Sequence, residues 1–288
     1  MSDNLRGAAL MTLSMFLYAV ENMIVKGVAE TVPIWQILMM NAGAGALIFA
    51  AIARWMGISI LSRGMLSGPV LIRCGAEIFG TAGFVIALAL VPLSTVSAIL
   101  QALPLMMTVG AAVVLREPVG WKRWMAVVIG FGGVLTIVRP GSDVFDPNSL
   151  YALMAVVGLG LRDVITRRVP PGISTIQLST WAFLFLPAAG VILLPFGSAA
   201  TMPGMMQVVL LIIALLLGLL GYYTITVSTR LGETAAVAPL RYTRLIFALA
   251  LGALVFGERP DFLTLAGACV IMATGLYTLA RERRKLAV

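Results

Sequence analysis

Apolar residues run through this chain in blocks of about twenty, broken by short stretches that hold charge, proline and glycine. That block length is what a helix needs to cross a hydrocarbon core. Ten spans are predicted, at 5–26, 34–53, 69–90, 93–115, 121–138, 149–168, 173–196, 205–229, 233–256 and 262–280. The expected fold class is an all-α polytopic membrane protein with ten transmembrane helices, and an even count puts both termini on one side. The first block carries Asp3 against Arg6 and lacks a small-residue cleavage site, so it reads as a retained first helix.

Composition agrees with that pattern. The 288 residues are 60% hydrophobic and 11% charged, with mean hydropathy +1.03; a soluble domain carries about 25% charged residues. The partner implied is the lipid bilayer, with little chain left for a separate soluble domain. The net charge of +8 would suggest nucleic acid in a soluble protein, but here the positives sit in short loops and set orientation, so no nucleic-acid partner is expected. One face holds Arg6, Arg54, Arg63, Lys122, Arg123, Arg167, Arg168, Arg230, Arg281, Arg283, Arg284 and Lys285, while the other keeps Lys26, Arg139 and Arg259. The bias predicts an inner-membrane protein with both termini cytoplasmic.

The chain also repeats itself. A shift of 141 residues lays Glu21-Asn22 on Arg162-Asp163, Gln36 on Gln177, Gly80 on Gly221, Leu90 on Leu231, Val96 on Val237 and Glu117 on Glu258. One further residue matches Pro118 with Pro260 and Gly133 with Gly275. Five spans fall on five, giving expected halves of 1–140 and 141–288. Because five is odd, the second half threads the membrane in the opposite sense, as an inverted repeat.

Two paired segments carry a family resemblance. Residues 93–138 read LSTVSAILQALPLMMTVGAAVVLREPVGWKRWMAVVIGFGGVLTIV, and the second segment begins GETAAVAPLRYTRLIFALALGALVFGERP at residue 232. A small-residue helix start, a long apolar run ending in Glu-Pro or Glu-Arg-Pro, and then a glycine-rich helix, all occurring twice, resembles the EamA-type members of the drug/metabolite transporter superfamily. The resemblance covers essentially the whole chain. It implies ten helices in two inverted repeats, a central cavity, and secondary transport of a small-molecule substrate, with carriers of riboflavin, S-adenosylmethionine and organic anions among the relatives. It leaves the substrate, the direction of transport and the oligomeric state open.

Candidate chemistry lies in the charges inside lipid spans, each costing about 2.5–3.5 kcal/mol at a helix centre on insertion scales. These are Glu21, Arg73, Glu77, Arg162, Asp163, Arg241 and Arg244. Counted along the helices, Glu77 and Arg241 lie about 12 Å from the inner face, with Arg244 deeper and Arg162-Asp163 slightly shallower. If Glu77, Arg162, Asp163, Arg241 and Arg244 share a cavity, one positive charge is left over. A substrate with a carboxylate or phosphate would satisfy it, held by a two-pronged arginine grip.

Several alternatives stand at this stage. Arg241 and Arg244, three apart with Tyr242 and Thr243 between, either bind substrate on one helix face or pair with Glu77 and Asp163 to join helices. Arg73 and Glu77 are spaced to satisfy each other, and Asp163 is within reach of Arg167. Glu21 with Asn22 is a coupling carboxylate, an outer gate or a solvated helix end. Gln101 and Pro104 interrupt the fourth span, where a kink and a substrate contact are expected. Glu117 and Glu258 read as structural. The expected site lies between the first, third, fourth, sixth, eighth and ninth spans.

No histidine is present, so any coupled proton would run through carboxylates; exchange against a counter-substrate is the other option. Cys74 and Cys269 form no metal or disulfide pattern. No phosphate-binding glycine loop, zinc-binding motif or dinucleotide fingerprint occurs, and no cofactor or metal is expected. A carrier of a cationic, zwitterionic or aromatic metabolite, leaning on Glu21, Glu77 and Tyr18 or Trp181, competes with the anion reading, while a channel or a membrane-embedded enzyme stands further off.

Overall fold

In the computed structural model, residues 3–170, 172–231 and 238–286 are described, and among them all regular structure is helical. The helices are α1 (Asp3–Val28), α2 (Ile34–Trp55), α3 (Gly68–Leu90), α4 (Leu93–Leu100), α5 (Leu103–Val113), α6 (Trp121–Val138), α7 (Ser149–Thr166), α8 (Thr175–Phe185), α9 (Pro187–Leu193), α10 (Met205–Leu231), α11 (Thr243–Phe256) and α12 (Phe262–Leu286). They make ten crossings. Nine stretches among the described residues are long and apolar enough to span a bilayer, and Phe262–Thr278 is a shorter apolar tenth. The expected start of the ninth span, at 233–237, lies outside the described residues.

Two crossings are broken. The fourth consists of α4 and α5, interrupted at Gln101-Ala102 just before Pro104, where the kink was expected. The seventh consists of α8 and α9, interrupted at Leu186. Its cause is Pro187, which has no N–H to give the preceding turn, so the span expected at 173–196 is two helices in place of one.

Pairing between helices follows the repeat. α1 packs on α10 and α3 on α7, which are repeat-related pairs, while α2 packs on α8 and α9, and α6 packs on α12. In lipid, close approach needs small residues or polar groups at the contact. α3 and α7 meet at Gly80 and Gly158, where a Cβ on Gly80 would come within 2.6 Å of the Leu159 backbone nitrogen. α6 and α12 meet at Gly133 and Gly267. α1 and α10 are joined by hydroxyls, Ser14 Oγ donating to the Gly221 carbonyl at 2.7 Å and Ser228 Oγ to the Gly7 carbonyl at 2.6 Å.

The described chain starts and ends on the same side of the ten crossings, here termed the terminal face. Large apolar side chains such as Leu47, Ile129, Leu216 and Leu254 point outward, as expected of a surface solvated by hydrocarbon.

Candidate functional site

A cavity of about 560 Å3 opens between seven crossings. α1 contributes Tyr18, Glu21, Asn22 and Val25, and α2 contributes Asn41 and Phe49. α3 supplies Arg73, Glu77, Thr81, Phe84 and Leu88, while α7 supplies Arg162, Asp163 and Thr166. Ser179 and Phe183 of α8, Gly218 and Tyr222 of α10, and Arg241, in the 3-10 turn Ala238–Tyr242 that precedes α11, complete the wall. The volume suits a drug-sized metabolite. The fourth crossing gives no lining residue, and the second and seventh replace it.

At the terminal end of the cavity, four charges form one chain. Arg162 Nη1 donates to Glu77 Oε1 at 2.8 Å, and its Nε donates to Asp163 Oδ1 at 2.9 Å. Arg73 Nη2 lies 3.2 Å from Glu77 Oε2, and its Nε donates to Thr166 Oγ1, also at 3.2 Å. Thr166 in turn donates to the Arg162 carbonyl. Glu77 is thus held on both oxygens, and α3 is locked to α7 one turn beyond the glycine contact.

This arrangement corrects two expected pairings. Glu77 and Asp163 take Arg162 and not Arg241 or Arg244, because the α3–α7 contact brings Arg162 to them. Asp163 does not bond Arg167, which faces Glu117 at 3.7 Å instead.

Arg241 is exposed to the cavity, and among the described residues no carboxylate lies within ion-pair distance of it. Arg244 does not share its surroundings. Its guanidinium carbon sits 5.5 Å from the Tyr18 ring centroid and 5.9 Å from that of Phe84, two rings that themselves line the cavity. Its Nε is buried without a hydrogen-bond partner. A cation stacked on aromatic faces gains from the ring quadrupole, so Arg244 adds positive charge just behind the cavity wall.

Glu21 is not a solvated helix end. Its carboxylate faces the cavity against Gly218, where a Cβ would approach Oε1 to 2.8 Å, and it is the acidic group that acts on Arg244. Asn22 beside it is buried and also lines the cavity. Tyr242 is turned away, its hydroxyl seated over Gly275 of α12, and Gln101 is buried at the end of α4 outside the cavity wall. Neither of these two can meet a molecule in the cavity as it stands.

Of the aromatic residues that the sequence offers for a cationic substrate, Tyr18 lines the cavity and Trp181 does not, while Phe49, Phe84, Phe183 and Tyr222 were not singled out. Tyr222 hydroxyl and Ser179 Oγ lie 3.3 Å apart across α10 and α8, and Phe49 packs edge-on to Tyr222 at 6.3 Å. In an all-apolar helix nothing distinguishes an aromatic ring facing a cavity from one facing lipid.

The sequence pattern of the EamA-like transporter family matches twice, at residues 5–139 and 147–280. The chain is 26% identical over 211 residues to the S-adenosylmethionine uptake transporter of Rickettsia conorii, covering 72% of this chain and 70% of that protein. It is 28% identical over 207 residues to the riboflavin transporter of Rhizobium johnstonii, covering 72% and 68%. Against the pseudopaline exporter of Pseudomonas aeruginosa it is 26% identical over 289 residues, covering 96% and 97%. A solved crystal structure superposes with a TM-score of 0.61 at 15% identity over 98% of this chain, which speaks to the fold. With two family matches spanning nearly its whole length, this chain belongs to the EamA-like transporter family of the drug/metabolite transporter superfamily, a membrane transporter of small metabolites and not an enzyme.

Proposed function

We propose that the protein is a secondary active carrier in the inner membrane, with its terminal face cytoplasmic, that moves a small metabolite bearing a carboxylate or phosphate by alternating access. The observation that carries this reading is Arg241, a cation on the cavity wall with no carboxylate within ion-pair distance among the described residues. Among the described residues, Arg73 and Arg162 are balanced by Glu77 and Asp163 and Arg244 by Glu21, which leaves the charge of Arg241 in excess. A substrate anion would complete it, and the planar guanidinium suits a two-oxygen acceptor. Tyr18, Phe84, Phe183 and Tyr222 would cover the substrate's apolar or ring portion. The halves 1–140 and 141–288 serve as the units that rock about this site.

A second reading has an observation of its own. Glu21 lines the same cavity as the rings of Tyr18, Phe84 and Tyr222, a lining that suits a cationic group, and the S-adenosylmethionine relatives fit a substrate that carries a cation together with a carboxylate.

A thermal-shift screen of the purified protein against carboxylates, nucleotides, flavins, amino acids and amines tests both, since a ligand of the folded state raises its melting temperature. Stabilisation by compounds that share a carboxylate or phosphate is expected, and it should vanish in Arg241→Ala. Stabilisation by amines alone would overturn the anion reading.

A further inference from the structure

At the end away from the termini the cavity stops beneath Val25 and Leu88, which are buried in an apolar plug with Val28, Ile37 and Leu93. Two charges cross above that plug. Lys26 of α1 donates from Nζ to the carbonyls of Leu88 and Val91 at 3.2 and 2.7 Å, which are free acceptors at the end of α3. Glu258, just past α11, accepts from the Leu93 N–H at 2.6 Å on one oxygen, and from the Ser94 N–H and hydroxyl at 2.9 and 2.7 Å on the other. These N–H groups begin α4. A cation on a helix C-terminus and an anion on a helix N-terminus both gain from the backbone dipoles. The carboxylate is also seated against Gly252, where a Cβ would come within 2.6 Å of Oε2. Together the two side chains tie α1, α3, α4 and the end of α11 over the closed end of the cavity.

The 141-residue shift lays Lys26 on Arg167 and Glu117 on Glu258. At the terminal face these counterparts make a loose contact of 3.7 Å, each about half exposed. Among the described residues the Glu117 carboxylate meets nothing else. One set of a repeated pair is therefore fully engaged, and the other is not.

We propose that Lys26 and Glu258 are the latch of the far gate, engaged while the cavity faces the terminal side and released when it opens the other way, with Arg167 and Glu117 as the corresponding latch of the near gate. This rests on the alternating-access reading. It assigns a transport role to residues that otherwise read as helix braces.

The test needs no substrate. In full-length protein with Cys74→Ser and Cys269→Ser, Val25→Cys reports from just beneath the plug, and a membrane-impermeant maleimide is applied to the far face of sealed vesicles. Slow labelling is expected in the parent. Glu258→Gln and Lys26→Met should each label about tenfold faster, the change that follows loss of a charge-assisted hydrogen bond, while Glu117→Gln should stay slow. Parental rates in both Glu258→Gln and Lys26→Met, in protein that inserts and melts like the parent, would overturn the latch. Should Glu258→Gln fail to fold, the milder Lys26→Met decides alone. Rapid labelling of the parent from both faces at once would sink alternating access itself, and a failed anion screen would leave the labelling result readable.

Discussion

Arg162 commits its guanidinium to Glu77 and Asp163, whereas Arg241 reaches the same cavity with no acid partner among the described residues. Opposite mutant behaviour follows. Arg162→Ala strips two carboxylates of their common cation inside the membrane, and at its partial exposure it should cost about 2 kcal/mol of stability. Glu77→Gln in the same chain should restore part of that loss. Arg241→Ala should leave the melting temperature nearly unchanged and weaken binding of a carboxylate probe by about one to two decades, the worth of one charged hydrogen bond. Arg241→Lys should recover only part, because an ammonium lacks the planar fork. Paired unfolding and binding measurements on the two alanine variants check this, and destabilisation by Arg241→Ala with binding intact would reverse the roles.

Helix ends carry much of the joining between halves. Arg139 closes α6 in the left-handed conformation, with φ at 51°, and its guanidinium bonds Asp261, which also caps α12 through the Thr264 N–H at 2.9 Å. The Arg139 hydrogen bond, followed by those of Thr264, holds the Asp261 carboxyl down from its ordinary 3.8 to about 2. A carboxyl with a depressed folded value stabilises above its unfolded value and loses that contribution as pH falls through the folded one. Asp261→Asn should therefore lower stability at pH 6 by less than about 1 kcal/mol for so exposed a pair, seen as a small drop in melting temperature. The deficit should shrink between pH 4 and pH 2, and a deficit of equal size at both ends would contradict the assignment. The same ends show what periodicity leaves out. Apolar length gives each crossing because lipid permits little else, and it gives depth along the axis. It does not give rotation about the axis, so the Glu77–Arg162 pair, the withdrawal of Tyr242 and Gln101 from the cavity, and the aromatic wall at Phe49, Phe183 and Tyr222 were not legible. The break at Leu186 had a visible cause in Pro187, but a proline inside an apolar run also fits an unbroken, kinked helix.

For the whole molecule, orientation rests on the loop charges. Reporter domains fused at residue 60 and at residue 285 should both report the cytoplasm, and an external signal from either would refute the proposed sidedness. The repeat and the ten crossings are legible in the sequence because hydropathy and the 141-residue shift are one-dimensional properties. The cavity's charge balance is not, since Glu21 enters it only through its place against Gly218.

Five crossings in each half carry a further consequence. A unit with an odd number of spans begins on one face and ends on the other, so its two copies cannot share an orientation in the bilayer. In the first copy the basic residues Arg6, Arg54, Arg63, Lys122 and Arg123 flank the side where it begins. In the second copy Arg167, Arg168 and Arg230, with the Arg281–Lys285 stretch that follows it, flank the side where it ends. Each copy has thus acquired its own address, written in loop arginines and lysines. Severed from each other, the two copies would still insert head-up and head-down, and a membrane offered both could reassemble the carrier from separate chains.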